Sequence, residues 1–320
     1  MKRKIKIICT LGPSSLNKDF LRFAKNKVDL LRLNMSHLTL ENLKRSIKFI
    51  KKNTTIPICI DTEGTQIRTK VKKNKYYKYG QLLKIENKKG NIKLYPESVY
   101  KKIKKNDTLD VGFDNLKIKV ISKKSHLLCK VVSSGSIENN KGVHLINRKI
   151  KLNFLTDKDF KSIKIGNEYK IKNYALSFTN SVNDMIKFNK LLKFKNKIFK
   201  IETLNAVKNF KNFLKNGDNF LIDRGDLSKD IKIENIPSAQ RDLFKSAKNK
   251  KNKNIFVATN LLESMLEKNY PTRGEANDIF NSLEMGAKGM VLAAETAIGK
   301  NPKDSVLFLK KMIKAFNRKK

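Results

Sequence analysis

The 320-residue chain has no tryptophan, three histidines and three cysteines. The cysteines, Cys9, Cys59 and Cys129, are odd in number and lack the spacing of a disulfide framework, so we expect reduced core residues. The scattered histidines include one His126-x-x-Cys129 pair, which is not a zinc pattern. The sequence also lacks a P-loop, a G-x-G-x-x-G segment after a strand and a G-x-S-x-G elbow. These absences argue against zinc enzymes, the common nucleotide-binding motifs and serine hydrolases.

Long apolar segments are missing as well. No run of about 18 apolar residues occurs, as a membrane-spanning helix would need. The N-terminal segment MKRKIKIICTLGPSS has neither the apolar core nor the cleavage site of a signal peptide. With 39% hydrophobic residues the chain can still bury a substantial core. We therefore expect a soluble, globular, cytoplasmic protein with no membrane partner.

Arginine and acidic residues are scarce beside lysine. The chain has 71 Lys plus Arg, only ten of them Arg, against 29 Asp plus Glu, and a formal net charge of +42. Such a charge attracts polyanions, but nucleic-acid readers depend on arginine for bidentate contacts. The lysines occur along the whole chain, so we interpret them as compositional drift and expect only nonspecific electrostatic binding of nucleic acid. A basic RNA-associated protein stays open as an alternative, supported by Tyr76, Tyr77 and Tyr79 among lysines.

Eight short apolar, β-branched runs alternate with segments whose apolar residues have helical spacing. Near-continuous apolar runs are typical of parallel strands buried on both faces. The predicted strands span residues 5 to 11, 29 to 35, 56 to 62, 174 to 178, 197 to 203, 219 to 226, 254 to 260 and 289 to 296. Eight such units predict an α/β fold, a (β/α)₈ TIM barrel.

One block interrupts this alternation after the third strand. Residues 70 to 150 contain short alternating runs such as QLLKIEN, LKIKVIS and HLLCKVV, separated by Gly, Asn and Asp. This pattern is typical of antiparallel strands and turns. The sequence therefore predicts a barrel built from residues 1–69 and 151–320, with a small inserted β domain at 70–150.

Polar residues concentrate at the C-terminal ends of the predicted strands. A buried charge without a partner costs several kcal/mol, so this bias needs a reason. The residues are Thr10, Arg32, Asn34, Ser36, Asp61, Thr62, Ser177, Lys200, Glu202, Arg224, Asp226, Thr259, Glu295 and Thr296. In a barrel these ends meet at one mouth, where the catalytic groups of such enzymes lie. For Arg224 we expect a bracing role rather than chemistry.

The residue types at the mouth indicate a chemistry. Glu202 and Asp226 are hard oxygen donors suited to Mg²⁺ or Mn²⁺. Lys200 stands two residues from Glu202, on the same side of its strand, and Arg32 adds a second cation. A metal with Lys and Arg is the usual means of stabilising charge in phosphoryl transfer. The residues alone thus predict a barrel enzyme with a divalent metal and an anionic, phosphorylated substrate.

Several motifs at these strand ends resemble a known family. They are KIICTLGPSS (6 to 15), LRLNMSH (31 to 37), DTEGTQIRT (61 to 69), KGVHL (141 to 145), ALSFTNSVNDM (175 to 185), KIET (200 to 203), RGDLS (224 to 228), ATNLLESM (258 to 265), PTRGEANDI (271 to 279) and ETAIGKNP (295 to 302). Together and in this order, the chain is similar to pyruvate kinase. The resemblance implies a glycolytic phosphotransferase that transfers the phosphoryl group of phosphoenolpyruvate to ADP, giving pyruvate and ATP.

The resemblance also implies roles for individual residues. Glu202 and Asp226 would hold the divalent metal, Mg²⁺ or Mn²⁺. Lys200, Arg32 and Thr259 would be catalytic, and the substrate-binding residues would be Arg32, Lys200, Gly225, Asp226 and Thr259. Nucleotide phosphates would contact Arg68, at the end of the first barrel segment, and Lys141 on the inserted domain, which closes as a lid. A monovalent-cation site for K⁺ would comprise Asn34, Ser36, Asp61 and Thr62.

Some positions depart from the family pattern and leave alternatives open. Gln66 replaces an acidic residue associated with potassium dependence, so use of K⁺ stays open. Asp223 replaces a small residue, and the sequence assigns it no role. Because the chain stops after the eighth barrel helix, we expect a form without the family's C-terminal effector domain; a homo-oligomer remains compatible. The alternative within this fold is a catalytically weakened barrel that binds a phosphorylated metabolite.

Overall fold

The structure is a computed structural model that describes residues 4–87, 89–112, 116–148, 150 and 152–318. The chain divides into two compact units, one comprising Met1–Gly64 with Asp157–Lys320 and the other Thr65–Thr156. These junctions lie a few residues outside the block 70 to 150 that the sequence pattern delimits. Among the described residues, no helix combines the length and apolarity that crossing a membrane requires.

The first unit is a closed barrel of eight parallel strands. In chain order, three strands precede the second unit, β1 (Lys6–Thr10), β2 (Leu30–Asn34) and β3 (Ile58–Asp61), and five follow it, β13 (Asn173–Leu176), β14 (Asn196–Ile201), β15 (Asn219–Asp223), β16 (Asn254–Ala258) and β17 (Gly289–Leu292). They close in the order β1-β17-β16-β15-β14-β13-β3-β2. The predicted TIM barrel is therefore confirmed, with all eight predicted strands present.

The barrel interior is a single apolar cluster to which every strand contributes. Its buried members are Ile8, Cys59, Ala175, Ile198, Leu221, Phe256, Ala258 and Val291, and the partly buried Leu30 of β2 packs against them. Residues two apart on a strand point to the same face. The residues two positions beyond these interior side chains, toward the C-terminal strand ends, therefore face the barrel mouth. This register carries Asp61, Lys200 and Asp223 to the mouth, since they follow Cys59, Ile198 and Leu221 respectively.

Helices follow the barrel strands and bury one face each. They are α1 (Lys18–Ala24), α2 (Leu40–Asn53), α4 (Asp157–Glu168), α5 (Val182–Leu191), α6 (Leu204–Lys208), α7 (Phe210–Phe213), α8 (Arg224–Leu227), α9 (Ile236–Ala247), α10 (Arg273–Met285), α11 (Ala294–Ala297) and α12 (Pro302–Arg318). Helix α2 is typical: it buries Leu43, Ile47 and Ile50, one apolar stripe at helical spacing. Short 3₁₀ helices occupy Ile233–Asn235 and Glu263–Leu266.

The second unit is a β structure with its own core. Its strands are β4 (Arg68–Val71), β5 (Lys75–Tyr77), β6 (Leu82–Glu86), β7 (Ile92–Tyr95), β8 (Thr108–Val111), β9 (Leu116–Lys123), β10 (His126–Ser133), β11 (Gly135–Ile137) and β12 (Val143–Leu145), with helix α3 (Ser98–Lys102) between β7 and β8. Seven strands form one sheet in the order β12-β8-β9-β10-β6-β7-β4, and β11 pairs with β5. Alternate residues such as Ile118, Leu127 and Val131 are fully buried in the core of this unit.

Candidate active site

The Lys200 ammonium lies at the centre of a buried ionic cluster at the barrel mouth. Its Nζ is 2.7 Å from Glu202 Oε1, 3.1 Å from Asp223 Oδ2 and 3.4 Å from Asp61 Oδ2. Lys200 is only 3% exposed. It also donates a hydrogen bond to Ser177 Oγ at 3.2 Å. The barrel thus brings Asp61 from β3 and Asp223 from β15 to Lys200 and Glu202, which are two residues apart on and just after β14.

A second buried cation, Arg32 on β2, is paired with Asp61 on β3. Arg32 Nε and Nη2 lie 2.8 and 2.5 Å from Asp61 Oδ2, and Nη1 donates to Thr10 Oγ1 at 2.8 Å. The other carboxylate oxygen of Asp61 lies 3.1 Å from Ser177 Oγ. Asp61 therefore connects the two cations, which sequence reasoning treated as separate substrate contacts.

The two cations stay charged in spite of their burial. Burial alone would lower the pKa of Lys200, but attraction by Asp61, Glu202 and Asp223 outweighs it and raises that pKa above its ordinary value. Burial alone would also lower the pKa of Arg32, but attraction by Asp61 and Asp223 outweighs it and raises that pKa above its ordinary value. Both side chains therefore favour their positively charged forms in the folded protein.

Three carboxylates of the mouth form a group that could hold a metal ion. Glu202, Asp223 and Asp226 each offer an oxygen, and these oxygens lie within 4.8 Å of one another. Burial, reinforced by Asp226 and Asp223, raises the pKa of Glu202, while Lys200 opposes the shift. Burial is the main cause of this shift, and a bound cation would favour the ionised carboxylate. An all-carboxylate donor set is the kind that Mg²⁺ and Mn²⁺ take, so the residues fit the predicted divalent metal.

The end of β16, the strand next to β15, forms one wall of this cluster. Thr259 has a left-handed backbone, with φ of 67°, which is a strained conformation for a β-branched residue. Its Oγ1 accepts a hydrogen bond from Gly225 N at 2.7 Å and lies 3.3 Å from Asp223 Oδ1. Thr259 and Gly225, both predicted substrate contacts, are therefore joined directly.

Arg224 holds this wall in place. Its Nη2 donates to Thr259 O at 2.7 Å, and its Nη1 pairs with Asp278 Oδ2 at 2.6 Å. Arg224 is thus paired with a neighbouring carboxylate, as a bracing role would require. The strained backbone at Thr259 persists because these contacts hold its carbonyl.

The residues predicted to hold a monovalent cation lie on β2, β3 and the loops that follow them. Asn34 and Asp61 are register partners, and Ser36 and Thr62 follow within two residues. All four provide oxygen ligands, and one carries a charge, which fits K⁺ by donor chemistry. A protein cation also lies on this segment. Lys158 Nζ donates to Met35 O at 2.5 Å and to Glu63 Oε2 at 2.9 Å.

Two polar strand-end residues of the eighth unit have structural partners. Glu295, 2% exposed, accepts hydrogen bonds from Leu262 N at 3.1 Å and Ala293 N at 2.7 Å. Thr296 Oγ1 donates to Thr10 O at 2.9 Å. These side chains hold loop backbone, so polarity at a strand end does not by itself identify a catalytic group.

The two predicted nucleotide contacts lie in the second unit, close to each other. Arg68 pairs through an isolated bridge with Gly142, the residue after Lys141. Thr69 N donates to Lys141 O at 2.8 Å, and Lys141 Nζ lies 3.0 Å from Glu138 Oε2. Within this unit, Arg68 and Lys141 therefore belong to two backbone segments that are hydrogen-bonded to each other.

Sequence reasoning missed Asp223, which the structure puts among the predicted catalytic side chains. A signal was available: Leu221 and Asp223 alternate with Phe220 and Ile222, so they share a strand face. The signal was hidden because Arg224 and Asp226 follow immediately, and the end of the strand was undefined from sequence.

The fold and the site define a class. This is a (β/α)₈ barrel protein whose ionisable residues gather at the C-terminal mouth, the position of the active site in characterised barrel enzymes. Residues 2–306 match the family model described as "Pyruvate kinase, barrel domain". The chain belongs to the pyruvate kinase family.

Individual relatives agree with this assignment. The chain is 31% identical to "Pyruvate kinase" of Thermotoga maritima, with 99% of this chain and 72% of the relative covered. It is 33% identical to "Pyruvate kinase" of Methanocaldococcus jannaschii, covering 98% and 70%. For "Pyruvate kinase" of Staphylococcus saprophyticus the values are 32% identity, 95% and 55%. The chain thus spans between about half and three quarters of the length of these curated relatives.

Proposed function

We propose that this chain transfers the phosphoryl group of phosphoenolpyruvate to ADP, giving pyruvate and ATP in glycolysis, with a divalent cation as cofactor. The observation that carries the proposal is the Lys200 ammonium held beside Glu202 and Asp223 at the mouth of a barrel of this family. A buried cation beside carboxylates that can bind a metal is suited to stabilise the negative charge of a phosphoryl group during its transfer.

In the proposed reaction Lys200 and Arg32 stabilise the negative charge on the transferring group. Lys200 faces the developing enolate, and Arg32 contacts the substrate phosphate. Their carboxylate partners hold them in place before substrate arrives, so little reorganisation is needed during the reaction. Glu202 and Asp226 would hold Mg²⁺ or Mn²⁺, and the bound ion would neutralise phosphate charge as a Lewis acid.

Thr259, Gly225 and Asp226 would orient the substrate carboxylate and enol. The hydrogen bond from Gly225 N to Thr259 Oγ1 supports this, because it holds the hydroxyl beside the Lys200 cluster. Arg68 and Lys141 are proposed to contact nucleotide phosphates, and Asn34, Ser36, Asp61 and Thr62 to bind K⁺. Positioning of this kind accounts for most of the catalysis in phosphoryl transfer.

The test is pyruvate formation by the purified protein, coupled to lactate dehydrogenase, with phosphoenolpyruvate, ADP and Mg²⁺. We expect activity in the wild type and a loss in kcat of at least about 10²–10³-fold in Lys200→Met, the usual effect of removing one charge-stabilising donor. Lys197→Met is the matched control, since Lys197 is on the same strand but at its other end, where its Nζ donates to Leu192 O.

Two outcomes would contradict the proposal: no pyruvate above the Lys200→Met background, or equal losses in the two lysine variants. The assay is run in K⁺ and in tetramethylammonium. Equal rates of pyruvate formation in the two salts would reject the proposed K⁺ site and leave the proposed phosphoryl transfer unaffected.

A further inference from the structure

The ionic cluster at the mouth contains one carboxylate more than its cations balance. Asp61 pairs with Arg32, Asp226 with Lys229 at 2.6 Å, and Glu202 with Lys200 at 2.7 Å. Asp223 shares Lys200 with Glu202. Within this set of described residues, four carboxylates face three cations. Glu202 and Asp223 therefore share one cation, and Asp223 is only 4% exposed.

A buried excess charge is costly unless something compensates for it. Bulk water is largely excluded from Asp223, and its two oxygens face Thr259 Oγ1 at 3.3 Å and Lys200 Nζ at 3.1 Å. Its carboxylate lies within 4.8 Å of those of Glu202 and Asp226. The group is therefore placed to share a cation with both of them.

We propose that Asp223 is a third carboxylate ligand of the divalent cation, beside Glu202 and Asp226. The inference rests on the cation site of the proposed function and deepens it. Mg²⁺ sites commonly use one or two carboxylates and take their remaining ligands from water and substrate phosphates. When no substrate is bound, a third carboxylate balances more of the positive charge of the divalent cation than two carboxylates can. The cation then binds before the phosphorylated substrate does.

The experiment measures Mn²⁺ binding to the full chain without substrate or nucleotide, by electron paramagnetic resonance of the free ion. The proteins are the wild type, Asp223→Asn, Asp223→Ala and Asp218→Asn. We expect Mn²⁺ affinity to fall at least about tenfold in both Asp223 variants, since even partners that only orient metal ligands commonly contribute 10–100-fold. Asp218→Asn removes one charge just before the same strand, at its opposite end, where Asp218 pairs with Lys253, and it should bind like the wild type.

A second measurement separates ligation from attraction at a distance. Water-proton relaxation counts the water molecules on bound Mn²⁺, and the count should rise by about one in Asp223→Ala as water replaces the lost oxygen. An unchanged water count, an unchanged affinity in the Asp223 variants or no binding by the wild type would each overturn the inference. Circular dichroism confirms that each variant is folded, and the isosteric Asn variant serves where Ala fails to fold.

This result is separable from the proposed reaction. Asp223-dependent Mn²⁺ binding together with no pyruvate formation would reject the proposed function and keep the third ligand. Pyruvate formation at a normal rate, together with Mn²⁺ binding that does not depend on Asp223, would reject the third ligand and keep the proposed function.

Discussion

Asp61 is the residue on which the buried charges of the mouth depend most. It accepts from Arg32, and its carboxylate also lies near Lys200 and Ser177, while being fully buried. A buried pair contributes little net stability, but removing one partner strands the other charge without compensation. Asp61 is therefore costly to lose even if the ion pair itself is nearly neutral in free energy.

Replacing Asp61 by Ala should lower the free energy of unfolding by about 3–5 kcal/mol, the usual cost of stranding a buried charge. Urea denaturation followed by circular dichroism measures it. Asp218→Ala is the matched control, because the Asp218–Lys253 pair has a mostly exposed carboxylate and should change stability by about 1 kcal/mol or less. Similar losses in both variants would contradict the central place of Asp61.

Residue identities at the mouth could be predicted from sequence, but their mutual contacts could not. Polar residues at the C-terminal ends of the predicted strands indicated Lys200, Glu202 and Arg32. The contact of Asp223 Oδ2 with Lys200 depends on the register between β14 and β15, where Lys200 pairs with Leu221. That register depends on barrel closure, which involves all eight strands. It therefore cannot be predicted from the sequence of one strand.

At the scale of elements, α10 shows how local hydrogen bonding sets a helix boundary. Thr272 and Glu275 form a capping box, and Glu275 also accepts from Ser264 N at 2.7 Å and from Ser264 Oγ at 2.5 Å. Partial burial would raise the pKa of Glu275, but hydrogen bonds from Ser264 and Thr272 outweigh it and lower the pKa. The carboxylate form of Glu275 is thus favoured by folding.

A lowered folded-state pKa gives a stability contribution that is complete above the unfolded pKa, about 4.3 for Glu, and is lost as pH falls through the folded value. The free energy of unfolding of the wild type should therefore exceed that of Glu275→Gln near pH 7, and the gap should narrow below about pH 4. Urea titrations at several pH values measure the gap. Glu284→Gln, an exposed change in the last turn of the same helix, is the control; a gap that widens on acidification would reject this role of Glu275.

The strands were easier to predict than the helices. Each of the eight apolar runs predicts a strand by itself. The helical spacing of residues 203 to 216 predicts one helix, whereas the structure has α6 and α7 there. The break falls at Asn209, whose Nδ2 donates to Asn205 O at 2.9 Å. Asn209 N also donates to Asn205 O at 3.0 Å, so the break is a change of backbone angles at Asn209, with φ of −93° and ψ of 4°, which periodicity does not register.

At the scale of the whole molecule, the net charge of +42 is a separate property from the site. Lysines dominate exposed positions, and such a surface should bind RNA through counterion release alone. Binding to an unstructured RNA, measured by fluorescence anisotropy, should be detectable at low salt and fall steeply toward about 150 mM. Tight binding that persists there, or that depends on Tyr76 and Tyr79, would favour a dedicated RNA surface instead.

The second unit carries the two proposed nucleotide contacts. Arg68→Met and Lys141→Met should each raise the KM for ADP while leaving that for phosphoenolpyruvate nearly unchanged, because only the nucleotide loses a phosphate contact. Lys130→Met is the matched control, an exposed lysine on β10 of the same unit. The assay is steady-state pyruvate formation with each substrate varied in turn; equal changes in both KM values would reject the assignment.

Phosphorus NMR of a mixture of phosphoenolpyruvate, ADP and Mg²⁺ is the most direct test of the central claim. It follows the phosphoryl group itself and needs no coupling enzyme. With the wild type, we predict that the phosphoenolpyruvate signal declines as the ATP β-phosphate signal grows in equal amount, and that Lys200→Met shows neither change. Unchanged spectra, or phosphoenolpyruvate lost to inorganic phosphate with ADP intact, would contradict phosphoryl transfer and leave a barrel that only binds or hydrolyses a phosphorylated metabolite.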